Sequence, residues 1–104
     1  MPVTFERQWE QAKVALEDAI RNHHEAQAQA SALSRQAQET CVRAGVARRE
    51  NKAEWEKHIT DAFRFAFDAQ KAWQKASKTV WFMVEAKEAE IQAYNRIIPF
   101  KEGA

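Results

Sequence analysis

Residues 45–55 read Gly-Val-Ala-Arg-Arg-Glu-Asn-Lys-Ala-Glu-Trp, and the reading of this stretch decides the fold. Long runs of strong helix formers flank it on both sides. Gly45 suits the residue just past a helix end. Asn51, with Glu54 three residues on, resembles a capping box with asparagine in the serine role. The stretch therefore reads as a turn at about 45–51, between a helix over about 3–44 and a helix over about 52–97. The alternative is that the first helix runs through Gly45, at a cost of roughly 1 kcal/mol relative to alanine.

Outward from that turn, apolar residues recur every three to four positions. The first stripe reads Phe5, Trp9, Ala12, Leu16, Ala19/Ile20, His23, Ala26, Ala30, Leu33, Ala37, Cys41 and Ala44. The second reads Trp55, Ile59, Ala62, Ala66, Ala69, Trp73, Ala76, Val80, Val84, Ile91, Tyr94 and Ile98. Such spacing favours two helices with a gentle left-handed supercoil. Thr4 and Pro2 suit a helix start, and Pro99 a helix end. With the turn near residue 48, Leu16 faces Val80, His23 faces Trp73, and the alanine-rich stretch 26–37 faces Ile59, Phe63, Ala66 and Phe67. The expected fold is all-α, an antiparallel two-helix hairpin that dimerises into a four-helix bundle. A compact bundle of three or four shorter helices is the alternative. The 104 residues suit a single helical domain.

Composition narrows the function classes. Twenty alanines against two glycines and two prolines leave few turns and argue against a sheet protein. The 16 basic and 15 acidic residues give no long-range field to draw in nucleic acid or an anionic membrane. No apolar run is long enough for a membrane span. Cys41 is the only cysteine, so no intrachain disulfide forms, and the chain suits a reducing compartment. The N-terminus shows no signal-peptide pattern. A cytoplasmic protein is expected, with export by a route that needs no cleaved signal as the alternative.

The chemistry-bearing residues do not converge. His23, His24 and Glu25 are sequence neighbours that point in different directions on a helix. His58 lies near Glu54 and Asp61 as a half-site only, and no His-Glu-x-x-His or paired-cysteine spacing occurs. Cys41, on the seam, reads as a buried and inert thiol, and His23 as a core histidine beside Trp73. No catalytic residue, metal or cofactor is expected. The Trp-x-Gly turn of secreted helical hairpins is missing, since Arg43 stands at its tryptophan position.

The informative feature is a surplus of aromatic residues. Phe63, Phe65, Phe67, Trp81 and Phe82 fall outside the stripe that one partner helix covers. Together with Trp55 and Trp73 they are candidate anchors for a contact, because aromatics dominate interface hot spots. Arg64, Lys71, Lys75 and Lys78 interleave with Phe67 and Phe82 opposite the seam. Arg43, Arg48, Arg49 and Lys52 make a basic tip. These residues read as the partner-binding surface of a non-enzymatic protein–protein interaction module that also pairs with itself. A small inhibitor, adaptor or chaperone fits, such as a phage or secretion accessory. Nucleic-acid binding through the basic face or basic tip is the rival reading.

Overall fold

Thr4 starts the first helix. Its Oγ1 accepts the Arg7 backbone N–H at 3.1 Å, and its carbonyl accepts that of Gln8 at 3.0 Å, which is how an N-cap threonine satisfies the first orphan donors. The computed structural model describes residues 4–98; Pro2 and Pro99 lie outside them. Helix α1 spans Phe5–Arg49 and helix α2 spans Trp55–Asn95. Among the described residues these are the only two long elements, and they fold back on each other as an antiparallel hairpin. The expected hairpin is thus the fold, and the alternative of three or four shorter helices is set aside.

The turn sits later than the sequence suggested. α1 continues through Gly45, and Asn51, at φ 58°, supplies the stop. Lys52 N–H reaches back to the Ala47 carbonyl at 2.9 Å and Asn51 N–H to that of Arg48 at 3.1 Å. This pair of bonds is the Schellman motif, with asparagine in the left-handed position that glycine more often fills. Asn51 therefore ends α1 and does not cap α2. Glu54 takes the capping place, its carbonyl accepting the His58 N–H at 3.0 Å. A single interior glycine costs about 1 kcal/mol, which the surrounding alanine, valine and arginine residues absorb. The C-terminal end also differs slightly: α2 closes at Asn95, and Ile97 N–H bonds the Tyr94 carbonyl at 2.9 Å in the turn that follows.

The hairpin divides into two compact units. The tip unit, 25–77, holds a seam of small side chains. Ala26, Ala30, Ala44 and Ala47 of α1 are buried with Ala62, Ala69 and Ala76 of α2. Thr40 is buried among them and donates its hydroxyl to the Gln36 carbonyl at 2.7 Å. Cys41, placed on the seam by the sequence, is exposed; Thr40 holds that position because the alternation of fours and threes continues unbroken through Ala37, Thr40, Ala44 and Ala47.

The other unit pairs 4–24 with 78–98. Its apolar core contains Ala93 and Ile97, the latter only 2% exposed. Polar groups complete its seam. Trp9 Nε1 donates to Glu90 Oε1 at 3.1 Å, His23 Nδ1 and Thr79 Oγ1 share a hydrogen bond of 2.8 Å, and Arg96 donates to Gln8 at 3.2 Å. The Tyr94 ring lies 5.1 Å from that of Trp9.

These pairs correct the register. The midpoints of Trp9–Glu90, His23–Thr79 and Gln8–Arg96 are 49.5, 51 and 52, all past residue 48. His23 meets Thr79 and Trp73 meets Ser34, so the expected His23–Trp73 neighbourhood does not form. They also rotate α2. Ala62, Ala69 and Ala76 are buried as expected, and Trp55, Ile59 and Ile98 are half-buried; elsewhere His58, Phe65, Ala72, Thr79, Met83, Glu90, Ala93 and Ile97 turn inward, each one position before a residue expected there. Ala62, Ala69 and Ala76 explain the rotation. Alanine at every seventh position lets the two helices approach closely along that line and so turns this face of α2 inward.

Candidate functional site

The rotation decides which side chains are left over. Phe63 is 72% exposed, Trp81 68%, and Phe67 and Phe82 59% each. Four of the five aromatics singled out by the sequence therefore lie on the surface. Phe65 is the exception: it turns inward and is half-buried, so it belongs to the seam. Trp55 is half-buried as well, while Trp73 is 40% exposed.

In the tip unit, Phe63 borders a groove with Ala37, Gln38, Cys41, Ile59 and Ala66. No charged side chain lines it. On the opposite side of the same unit, Gln29, Leu33, Asp68, Lys71, Ala72 and Lys75 line a second, charged groove. Phe67 lies outward on α2, with the Lys71 ammonium 4.6 Å from its ring centre. Arg64 reaches Asp61 at 3.7 Å and lies 5.5 Å from the Phe65 ring. The proposed basic face is thus interrupted by Asp61 and Asp68, and two of its cations lie against aromatic rings. In the other unit, Lys78, Trp81 and Phe82 are exposed on α2.

The basic tip is interrupted by Glu50. Lys52 binds Glu50 at 2.8 Å, and this contact holds the Glu50 carboxyl below its usual range and raises the Lys52 ammonium. Arg48 lies 5.4 Å from the Trp55 ring. Arg43 borders a surface depression with Glu50, Glu54 and His58, and Arg49 leans back toward the Gly45 carbonyl at 3.4 Å. Of the four tip cations, Lys52 is the one paired with a carboxylate among the described contacts.

Among the described residues, no group of three or more His, Cys, Asp or Glu side chains is placed to hold a metal ion. No helix among them is long and apolar enough to cross a membrane.

Sequence reading missed several surface residues by assigning them to the seam. Val80, Val84, Ile91 and Tyr94 are exposed, as is Cys41. Val42 on α1, 65% exposed, was not singled out at all. The signal that finds most of them is the seven-residue recurrence of Ala62, Ala69 and Ala76, which fixes the inward face of α2 to within a fraction of a turn. No known protein family, curated protein or solved structure is found to match the chain.

Proposed function

We propose that this chain is a non-enzymatic protein-interaction module of the cytoplasm, a small inhibitor, adaptor or chaperone, that works through the exposed aromatic residues of α2 and also self-associates. One observation carries the reading. The buried core is mostly alanine, while Phe63, Phe67, Trp81 and Phe82 each expose more than half of their surface. Burying such a side chain is worth about 1.5–3 kcal/mol, so a folded chain gains little by leaving four outside unless a partner covers them.

The test is quantitative affinity capture with the full chain and with Phe63→Asp and Trp81→Asp, each checked for helicity by circular dichroism. The expected result is that helicity persists and the retained proteins weaken by roughly 30-fold, as for loss of a hot-spot aromatic. Unchanged capture by both variants would overturn the reading. A salt titration with single- and double-stranded oligonucleotides separates the nucleic-acid rival, for which affinity falls steeply with salt.

A further inference from the structure

The tip unit has two unlike flanks beside its alanine seam. On α2, the charged residues from 57 to 77 are Lys57, Asp61, Arg64, Asp68, Lys71 and Lys75. At 3.5 residues per turn of a supercoiled helix, all of them fall on one side. The other side carries Ile59, Phe63, Ala66, Gln70 and Trp73, spaced by fours and threes, without a charge. The adjoining flank of α1 carries Gln27, Ser31, Ser34, Gln38, Cys41 and Gly45 with the same spacing. These are small or uncharged as well. The Trp73 Nε1–H···Oγ bond to Ser34, 2.9 Å, and the groove shared by Gln38, Cys41, Ile59 and Phe63 show that the two stripes adjoin. One half of this flank is therefore bulky and the other half small.

We propose that this flank is the contact between two copies of the chain. The two copies are related by a two-fold axis parallel to the helices, and α2 of each lies on α1 of the other. This rests on the protein-binding reading above and names the partner for the tip unit. Three features favour a second copy. A bulky stripe meeting a small one is self-complementary under that axis, as an isologous interface requires. Because the axis keeps residues at the same level, Phe63 of one copy meets Gln38 and Cys41 of the other, and Ile59 meets Gly45. At the turn end, Arg48 of α1 and Glu56 of α2 lie at one level on this flank, so each cation meets the other copy's carboxylate.

Gly45 gives the third feature. A Cβ built there meets nothing within 4 Å, so no contact among the described residues requires a glycine. Alanine would favour the helix by about 1 kcal/mol. A second copy seated against this position gives the missing side chain a steric reason.

The test uses the full chain and its single thiol. Mass is measured by light scattering over a concentration series, and Cys41 alkylation is timed in parallel. The wild type is expected to be a dimer whose Cys41 reacts at least about tenfold more slowly than after dilution to monomer, since protection follows the population of the open form. Gly45→Leu favours helix yet fills the space required by Ile59 of the other copy; it is expected to be a fully helical monomer with fast thiol reaction. Gly45→Ala is expected to keep most of the dimer. A wild type that stays monomeric to about 1 mM, where association would be weaker than about 4 kcal/mol, overturns the proposal. So does a dimer that Gly45→Leu and Phe63→Asp leave intact. If the chain is monomeric and Phe63→Asp still abolishes capture of another protein, this proposal fails and the broader reading stands. If capture is indifferent to the aromatics but Gly45→Leu splits a dimer, the reverse holds.

Discussion

The two units solve the same packing problem with different materials. The tip unit closes its seam mostly with alanine, with Thr40 buried and Phe65 half-buried among them, and most of its other large side chains lie on the flanks. The other unit closes its seam with larger and polar groups: Trp9 against Glu90, His23 against Thr79, and Ile97 at the end. Alanine gives close approach and little burial per residue; each buried methylene adds only about 0.8 kcal/mol. Hydrogen-bonded pairs add directional fixing of register, at about 0.5–1.5 kcal/mol net each. The difference teaches where each unit is vulnerable. The tip should be sensitive to size, and the other unit to loss of a specific polar partner.

The largest effect is expected from Ala30→Leu. Ala30 is 0% exposed, and three extra carbons at that point force the helices apart or the side chain off its rotamer. A loss of about 2–3 kcal/mol is expected in urea unfolding followed by circular dichroism, at one fixed protein concentration. A neutral result would show that the alanine seam is not close-packed, and the comparison between the units would collapse.

That seam also shows how far the sequence was legible. The two helices and their antiparallel return follow from Thr4, the helix-forming composition and the spacing of apolar residues. On α1 the expected stripe holds at Ala26, Ala30 and Ala44, which are buried, and fails at Phe5, Ile20 and Cys41, which are exposed. Two features misled the reading. Gly45 looked like a helix end because glycine is the commonest left-handed terminator, yet Asn51 can adopt the same φ and does so here. On α2, hydrophobicity pointed to Trp73, Val80, Val84 and Ile91, whereas the residues turned inward are their predecessors Ala72, Thr79, Met83 and Glu90. Hydrophobicity reports which residues gain from burial; it does not report which face of α2 the seven-residue alanine recurrence turns inward. The exposed aromatics were legible as a surplus because no single stripe could hold them all. Which of them turned inward was not, since Phe65 and Phe63 differ by about 200° around a helix whose rotation was still unfixed.

A smaller effect is expected from Thr79→Val in the other unit. The swap keeps the shape and removes the hydroxyl that meets His23 Nδ1 at 2.8 Å. The imidazole is half-buried, so part of its lost partner is replaced by water, and about 1 kcal/mol is the expected cost. The same substitution at Thr60, whose hydroxyl bonds the Glu56 carbonyl on an exposed face, serves as the control and should be nearly silent. Equal losses at both sites would mean that threonine is acting through the helix backbone and not through the contact between helices.

The smallest effect, and the one most specific to the polar unit, is a pH dependence centred on Glu90. The Trp9 indole N–H, and secondly the Lys87 ammonium at 3.1 Å, hold its carboxyl below the ordinary value of 4.5. A depressed folded-state pKa means that the folded chain binds this proton less readily than the unfolded chain. The stabilisation is therefore complete above 4.5 and is lost as pH falls through the folded value. Trp9→Phe removes the first cause while keeping an aromatic ring at the position. Unfolding midpoints measured from about pH 7 down to about pH 3 should converge for the two proteins at the acid end and separate above it. Parallel curves would mean that the indole contributes packing alone, and that the polar pairs of this unit accompany its seam without fixing it.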